Sequence, residues 1–253
     1  TGPAGASTTF SGPISTCNLS AGTHTLSVRA KDAAGNWGAI STRTFSVAAS
    51  TGNTIFADNF DAGNFNAWCA TTGNGLSVTN AAALHATTRG MAVTGSGSYA
   101  SYTSPTGDNK YNARFYFNPN GNTTNATGQV IFQALNGNQE IFHLEYRVSG
   151  GQRQVRLIVT RSSGNNPNTT GWYNLTTGGH SIEVGWLAST RITTNAQVKL
   201  YIDGVARETL NLRTFNLSVK TARLGIISGV LSAGGSEYFD EFVSTRNGVQ
   251  IGG

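Results

Sequence analysis

The sequence predicts an all-β protein that consists of a short first module and one large antiparallel β-sandwich. Charged residues make up only 11% of the 253 residues, and glycine occurs 32 times. Together with abundant Asn, Ser and Thr, this composition favours short strands and tight turns. Apolar and polar residues alternate in many short runs, as in half-buried strands, and we find no long stretch with apolar residues at helical spacing. We therefore expect no helical domain.

The first module, residues 1–47, contains two well-marked strands. Apolar and polar side chains alternate in the runs His24–Ala30 and Thr42–Val47. The polar stretch Asp32–Asn36 between them predicts a turn. Residues 10–19 are a candidate for one further strand. The module thus offers three or four strands at most.

The stretch from Leu19 to Trp37, LSAGTHTLSVRAKDAAGNW, resembles the closing half of bacterial immunoglobulin-like or fibronectin type III-like repeats. The resemblance implies a partial immunoglobulin-like segment, because a complete sandwich of that kind needs about seven strands over about 100 residues. Half a sandwich leaves an apolar face and open strand edges uncovered. Three explanations follow: the chain is a piece of a longer protein, the segment packs on the second module, or another subunit supplies the missing strands.

Residues 48–54 are small and polar and are predicted to be a linker, and residues 55–253 form the second module. Eight runs in this module alternate in the manner of strands. They are Ala113–Phe117, Gln129–Gln133, Ile141–Val148, Val155–Thr160, Ser181–Trp186, Val198–Ile202, Arg223–Ile227 and Tyr238–Val243. Eight strands without helices imply two sheets packed face to face.

The second module resembles the concanavalin A-like, laminin-G-like jelly rolls. The run Lys199–Val205, KLYIDGV, is similar to a strand-and-turn hairpin common in them, and the runs Phe56–Trp68 and Tyr238–Phe242 resemble their terminal strands. The resemblance implies a large antiparallel jelly-roll β-sandwich. It implies no single activity, because this architecture hosts lectins, hydrolases, lyases and inert spacers.

The chain carries a formal net charge of +5, but its Lys and Arg residues are spread without a basic run or a nucleic-acid-binding motif. We therefore predict no nucleic-acid partner. No apolar run approaches the roughly 20 residues that a membrane span needs. The composition favours an extracellular or cell-surface protein of bacterial type.

The two cysteines, Cys17 and Cys69, lie in different modules. If they pair, the disulfide ties the two modules together, or one subunit to its neighbour. The alternative is two buried free thiols. The sequence leaves both open.

Three aspartates are candidate ligands for structural calcium, the one cofactor that the sequence suggests. Asp58, Asp61 and Asp240 lie on the terminal segments that jelly rolls bring side by side. Carboxylate oxygens are the ligands that hard cations prefer. The alternative is that Asp58 and Asp61 form turns and that Asp240 is a surface residue at a strand end.

One predicted strand carries a candidate binding surface. If its apolar residues face the core, His143, Glu145 and Arg147 line the opposite face. Gln133 and Arg156 can join them from neighbouring strands. Such a row can bind sugar hydroxyls or serve acid–base chemistry. The alternative is a set of cross-strand ion pairs on a solvated sheet.

Aromatic side chains supply a second kind of candidate for sugar binding. Trp172 and Tyr173 follow a polar loop and can form platforms for a sugar ring, with Tyr99 and Tyr102 as further candidates. The alternative is that these rings close the ends of the sandwich core.

Catalytic motifs are missing from the sequence. It contains no Glu-x-Asp-x-Glu strand, no Gly-x-Ser-x-Gly elbow and no His-Glu-x-x-His helix. Jelly-roll polysaccharide lyases place Gln, His, Arg and Tyr on one sheet face, but their Tyr- and Lys-containing strand motif is missing too. We therefore predict that the chain is not an enzyme.

The leading functional prediction is a non-catalytic extracellular structural or adhesive protein. Its copies would assemble into a surface filament by β-strand complementation through the incomplete first module. One alternative is a carbohydrate-binding accessory region of a secreted polysaccharide-degrading enzyme, and another is a jelly-roll polysaccharide lyase. The predicted partners are accordingly other copies of the chain, or polysaccharide.

Overall fold

The computed structural model describes residues 16–17, 19–48, 52–122, 127–160, 167–189, 195–213, 217–232 and 234–253. These residues form eighteen β-strands and one 3-10 helix, Asn80–Ala82. The strands are β1 (Gly22–Val28), β2 (Ser41–Val47), β3 (Thr54–Asp58), β4 (Ala70–Thr72), β5 (Leu76–Thr79), β6 (Gly90–Val93), β7 (Ser98–Asp108), β8 (Lys110–Asn118), β9 (Gln129–Asn136), β10 (Gln139–Ser149), β11 (Gln152–Val159), β12 (Asn168–Thr169), β13 (Tyr173–Leu175), β14 (His180–Leu187), β15 (Ala196–Ile202), β16 (Val205–Leu212), β17 (Val219–Ser228) and β18 (Glu237–Thr245). No helix in this described part has the length and apolar character of a membrane span.

The strands from β3 onward form two antiparallel sheets of eight strands each, within the described residues. In the first sheet the order is β12-β11-β10-β9-β17-β7-β4, and β13 pairs with β11. In the second sheet the order is β16-β15-β14-β8-β18-β6-β5, and β3 pairs with β18. The predicted all-β jelly-roll sandwich is therefore confirmed.

The core between the sheets is rich in phenylalanine. Phe242 of β18 is fully buried, and its ring centroid lies 5.3 Å from that of Trp68 and 6.1 Å from that of Phe132. Because Phe132 belongs to the first sheet and Phe242 to the second, these rings join the two layers. Aromatic pairs at such distances stabilise by about 0.5–1.5 kcal/mol beyond the area that they bury.

All eight strands predicted in the second module are present, as β8, β9, β10, β11, β14, β15, β17 and β18. The two terminal segments also pair as expected, since Phe242 lies opposite Asp58. The Asp203–Gly204 turn has positive φ at both residues, 54° and 73°, which a tight hairpin turn of type I′ requires.

The described part of the first module is a single hairpin, β1–β2. The predicted turn between its strands is present, and the Asn36 backbone N–H donates to Asp32 Oδ1 at 2.8 Å. Most of the candidate third strand, residues 10–19, lies outside the described residues. That residues 1–47 are a partial immunoglobulin-like segment stays a prediction.

The hairpin has one face with apolar side chains and one hydroxyl-bearing face, because side chains of paired residues project to the same side. Leu26 and Val28 share the first face with Phe45 and Val47, and the six strand residues of the other face are all Ser or Thr. Val28 is 56% exposed. Leu26, Phe45 and Val47 are half-buried, and His24, Arg43 and Ser41 share their face, so the face is mixed and only partly covered by the described residues.

A disulfide joins the first module to the sandwich. Cys17 and Cys69 are bonded, with 5.4 Å between their Cα atoms. A groove of about 430 Å³ lies beside the bond, lined by the base of the hairpin at Val47 and by Tyr102 and Arg246 of the sandwich. The sequence left open a disulfide or two free thiols, and the structure contains the disulfide, which ties the two modules of one chain together.

We expect that reduction of this disulfide speeds proteolysis between residues 19 and 48 about tenfold, because a lone two-stranded hairpin is marginally stable. The unfolding temperature of the sandwich should change little. Limited proteolysis with mass spectrometry, with and without reductant, measures this, and Cys17→Ser/Cys69→Ser is the matched variant. Equal cleavage rates with and without reductant would show that the hairpin is stable without the disulfide.

Candidate functional site

The candidate site is a row of polar side chains on the outer face of the first sheet. The strand register places Arg223 of β17 opposite Gln133 of β9, and Gln133 opposite His143 of β10. It also places Glu145 of β10 opposite Arg156 of β11. We call the connected set the polar network. It comprises Gln133, Glu140, His143, Glu145, Arg147, Arg156, Trp172 and Arg223.

Hydrogen bonds and ion pairs run through the network without a break. Arg223 Nη1 donates to Gln133 Oε1 at 3.0 Å, and Gln133 Nε2 donates to Glu140. His143 Nδ1 lies 2.6 Å from Glu140 Oε1, and its Nε2 forms an ion pair with Glu145 Oε1 at 3.5 Å. The chain of contacts crosses β17, β9 and β10.

The network continues from β10 to an aromatic ring. Arg156 Nε donates to Glu145 Oε2 at 2.7 Å. The guanidinium carbons of Arg147 and Arg156 lie 3.9 and 4.4 Å from the ring centroid of Trp172. At the other end, the guanidinium carbon of Arg223 lies 5.0 Å from the ring centroid of Tyr99. Aromatic rings therefore position the cations at both ends.

His143 is a cation in this setting. Burial acts to lower the pKa of its imidazole, but hydrogen bonding and the charges of Glu140 and Glu145 outweigh that effect and raise the pKa to about 9. Burial likewise opposes ionisation of the two glutamates, but His143 and their other donors hold both pKa values below the ordinary range. Three arginines and one charged histidine thus face two carboxylates, and the network is net positive.

The guanidinium groups keep donors for a ligand. A guanidinium has five N–H donors. Within the described residues, Arg147, Arg156 and Arg223 each donate one side-chain hydrogen bond to the protein, at 2.9, 2.7 and 3.0 Å. Their remaining donors are held in place and can recognise carboxylate or sulfate groups.

The same geometry disfavours proton abstraction. A general base must be unprotonated near the working pH. His143 keeps its proton up to about pH 9 because it lies between two carboxylates. The network is suited to binding anions, and it does not offer an imidazole base at neutral pH.

We expect the imidazole of His143 to titrate with a midpoint near 9 in the folded protein. Because its folded pKa exceeds the unfolded value of about 6.5, its stabilisation is complete below pH 6.5 and is lost as the pH rises through 9. The NMR signals of the imidazole ring measure the midpoint. In Glu140→Gln the midpoint should fall by at least one pH unit, and a wild-type midpoint near 6.5 would refute the ion-pair geometry.

The structure brings most of the predicted sugar-binding residues together. His143, Glu145 and Arg147 share the outer face as predicted, and Gln133 and Arg156 join them. Trp172 belongs to the network, but as the ring against which two arginines lie. The sequence did not indicate Glu140 or Arg223.

Two of the tyrosines proposed as platforms have structural roles. Tyr173 packs against the core, and its hydroxyl donates to Glu208 Oε2 at 2.7 Å. Tyr102 stacks on Phe56 with 4.1 Å between ring centroids. The half-buried ring of Tyr173 and its contact with Glu208 of the second sheet agree with the alternative of a ring at the end of the core, and sugar binding at Tyr173 stays a prediction.

The three candidate calcium ligands are not gathered into one cluster. Asp58 accepts hydrogen bonds from the Phe60 backbone and the Trp68 indole, and Asp61 accepts three hydrogen bonds from Thr88 and Arg89. Asp240 lies apart from them and accepts from the backbone of Leu84 and the hydroxyl of Thr87. The described residues contain no group of three or more metal-ligating side chains. Structural calcium stays a prediction without support from this geometry.

No protein-family model and no curated protein matches the sequence. Among solved structures, the chain is similar to the receptor-binding domain of botulinum neurotoxin C/D mosaic serotype, with 12% identity and a TM-score of 0.55 over 78% of this chain and 49% of that one. The chain thus spans about half the length of that domain. It is also similar to the alginate lyase Aly36B, with 10% identity and a TM-score of 0.56 over 79% and 95%. A third similar structure is the endo-β-1,4-glucuronan lyase of the fungus Trichoderma reesei, with 13% identity and a TM-score of 0.56 over 77% of this chain and 96% of that one. These similarities establish the jelly-roll fold.

Proposed function

We propose that the sandwich binds acidic polysaccharide across the polar network and does not cleave it. The observation that carries the proposal is the set of guanidinium groups of Arg147, Arg156 and Arg223, each fixed by one protein hydrogen bond and by an aromatic ring. Preorganised cations with free donors suit repeated carboxylate or sulfate groups.

The shape of the surface favours an extended ligand. The polar network, together with Tyr99 of β7, crosses the neighbouring strands β7, β17, β9, β10 and β11. At the usual strand spacing this is a span of about 19 Å. All members are partly exposed, so the row is an open strip. A polymer can contact such a strip along its length, whereas a small molecule would leave most of it unused.

Similarity to two solved structures supports this ligand class. Two of the similar structures are named as lyases of alginate and of glucuronan, which are acidic polysaccharides. The protonated state of His143 and the missing lyase strand motif favour binding over cleavage in this chain. An extracellular location, where such polymers occur, is part of the proposal.

Affinity electrophoresis in gels that contain alginate, polyglucuronate, or neutral starch tests the proposal. We expect retardation by the acidic polymers and none by starch, with the retardation lost at high salt because exposed charges are screened beyond a Debye length of about 10 Å at 0.1 M. Ultraviolet absorbance of unsaturated ends should not rise during incubation. Equal retardation by starch, or none by any acidic polymer, would refute the proposal.

We propose assembly through the hairpin as a second function. The face of β1–β2 that carries Leu26 and Phe45 is only partly covered by the described residues: these two side chains are half-buried, and Val28 on the same face is 56% exposed. A donated strand from another copy would satisfy an open edge and bury apolar side chains together. Electron microscopy of the concentrated protein tests this idea: filaments support it, and a field of single particles contradicts it.

A further inference from the structure

A second cavity lies on the opposite side of the molecule, on the outer face of the second sheet. In the register of this sheet, Asn112 of β8 lies opposite Gly185 of β14, and Gly185 lies opposite Lys199 of β15. Because Gly185 has no side chain, the face is hollow at this point. The hollow has a volume of about 170 Å³, and Lys110, Gln197 and Tyr201 are among the other residues that line it.

Asn112 is a buried residue of the cavity wall. Its side chain is 3% exposed, and its Nδ2 donates to Glu183 Oε1 at 2.9 Å. The orientation of the amide follows, because a carboxylate oxygen must face the NH2 group. Asn112 Oδ1 is buried and accepts no hydrogen bond from the described residues.

Glu183 holds the Asn112 amide in place, and both of its carboxylate oxygens accept hydrogen bonds from the protein. Its Oε1 also accepts from the Ile251 backbone N–H at 2.9 Å, and its Oε2 accepts from the Gly252 N–H at 3.1 Å. The carboxylate is buried and its acceptors are used by the protein. Asn112 is therefore a rigid part of the wall.

The charge of the cavity indicates an anion. The sequence contains four lysines, and two of them, Lys110 and Lys199, line this cavity. None of the described residues in the lining is acidic. Two ammonium groups around one small hollow attract a carboxylate or a sulfate.

The ring of Tyr201 adds an apolar wall. A Cβ atom placed on Gly185 would lie 3.7 Å from Tyr201 Cε2, so the ring edge borders the floor of the hollow. Aromatic walls beside amide and ammonium groups are the usual surroundings of a sugar ring. The volume of the cavity limits the ligand to one ring.

We infer that this cavity binds a single anionic sugar unit, with a carboxylate or sulfate group between Lys110 and Lys199. The sugar ring packs beside Tyr201 on the floor at Gly185. The site is separate from the polar network, because it lies on the outer face of the other sheet.

Saturation-transfer NMR and calorimetry with glucuronic acid, N-acetylglucosamine 6-sulfate and glucose test the inference. We expect binding of one or both anionic sugars and none of glucose, and the stronger ligand identifies the preferred anionic group. In Gly185→Ala the new Cβ lies 3.1 Å from Asn112 Nδ2 and fills the floor. This variant should lower the affinity about tenfold, or by about 1.4 kcal/mol, because the methyl group occupies the space on the floor where the sugar ring packs.

Two further variants separate this site from other surfaces. Lys199→Gln should lower the affinity about fivefold to tenfold by removing one cation. Lys31→Gln on the hairpin should leave it unchanged, and thermal unfolding confirms that each variant is folded. Unchanged affinity in both Gly185→Ala and Lys199→Gln, or equal binding of glucose, would each overturn the inference.

Discussion

The double variant Arg147→Gln/Arg156→Gln is expected to bind acidic polysaccharide about a hundredfold more weakly than the wild type, because it loses two charge-assisted contacts of about 1.5 kcal/mol each. Both guanidinium groups lie against Trp172, so the two substitutions remove the cations from one end of the network. Glutamine preserves most of the side-chain length and can still donate hydrogen bonds. The loss therefore reports on charge and on the guanidinium geometry.

Affinity electrophoresis and calorimetry with an alginate oligosaccharide measure this effect. Arg207→Gln/Arg213→Gln is the matched control, because both arginines are exposed, Arg207 on β16 and Arg213 directly after it, and the two substitutions make the same change in net charge. We expect the control to lose less than twofold in affinity at physiological salt. If the control and the double variant lose the same amount, binding depends only on net charge and the polar network has no special role.

Glu237→Gln is expected to stabilise the fold at alkaline pH by on the order of 3 kcal/mol and to have little effect near pH 4. Glu237 is fully buried, and its Oε1 accepts from Asn122 Nδ2 at 2.5 Å and from Gln129. Its Oε2 has no hydrogen-bond partner among the described residues. Burial raises the pKa of this carboxyl to about 8, although the two amide donors oppose the shift.

The direction of the effect follows from the raised pKa. The folded state binds the Glu237 proton more tightly than the unfolded state, so this group favours folding below pH 4.5 and its contribution is lost as the pH rises from 4.5 through 8. Glutamine does not titrate and removes that loss. Urea unfolding of both proteins from pH 4 to pH 9 measures the difference, and parallel stability curves would show that Glu237 is ionised without cost in the fold.

The sequence predicted the faces of individual strands well, because alternation is a local property. In β10, Leu144 and Tyr146 are buried while His143, Glu145 and Arg147 remain partly exposed, as the alternation of residue types indicated. The same reasoning located eight of the ten sandwich strands that have seven or more residues in the described part of the chain, and it missed β7 and β16. Strand existence and facing depend on neighbours along the chain, which a single sequence displays.

Side-chain contacts between different strands could not be predicted, because they depend on the register in which the strands pair. Arg223 meets Gln133 across 90 residues of sequence, and only the pairing of β17 with β9 brings them together. Glu140 joins the network because the β9–β10 register shifts between Glu140 and Phe142. Strict alternation would have put Glu140 on the core face together with Phe142.

The missed strands lack the composition of a buried strand. The strand β7 contains Pro105 and Gly107 and few apolar residues, and proline normally argues against a strand that is paired on both sides. Its partner β4 reaches only residues 99–101, so Pro105 lies beyond that pairing. The cavity above Gly185 was missed for a related reason, since a hollow depends on three strands in register.

The most direct test of the central claim is NMR chemical-shift mapping of the isotope-labelled protein with a short acidic oligosaccharide. We predict that the largest shifts fall on Gln133, His143, Glu145, Arg156 and Arg223 and on the indole N–H of Trp172. Shifts confined to the hairpin β1–β2 or to the second sheet, with the polar network unchanged at saturation, would contradict the account.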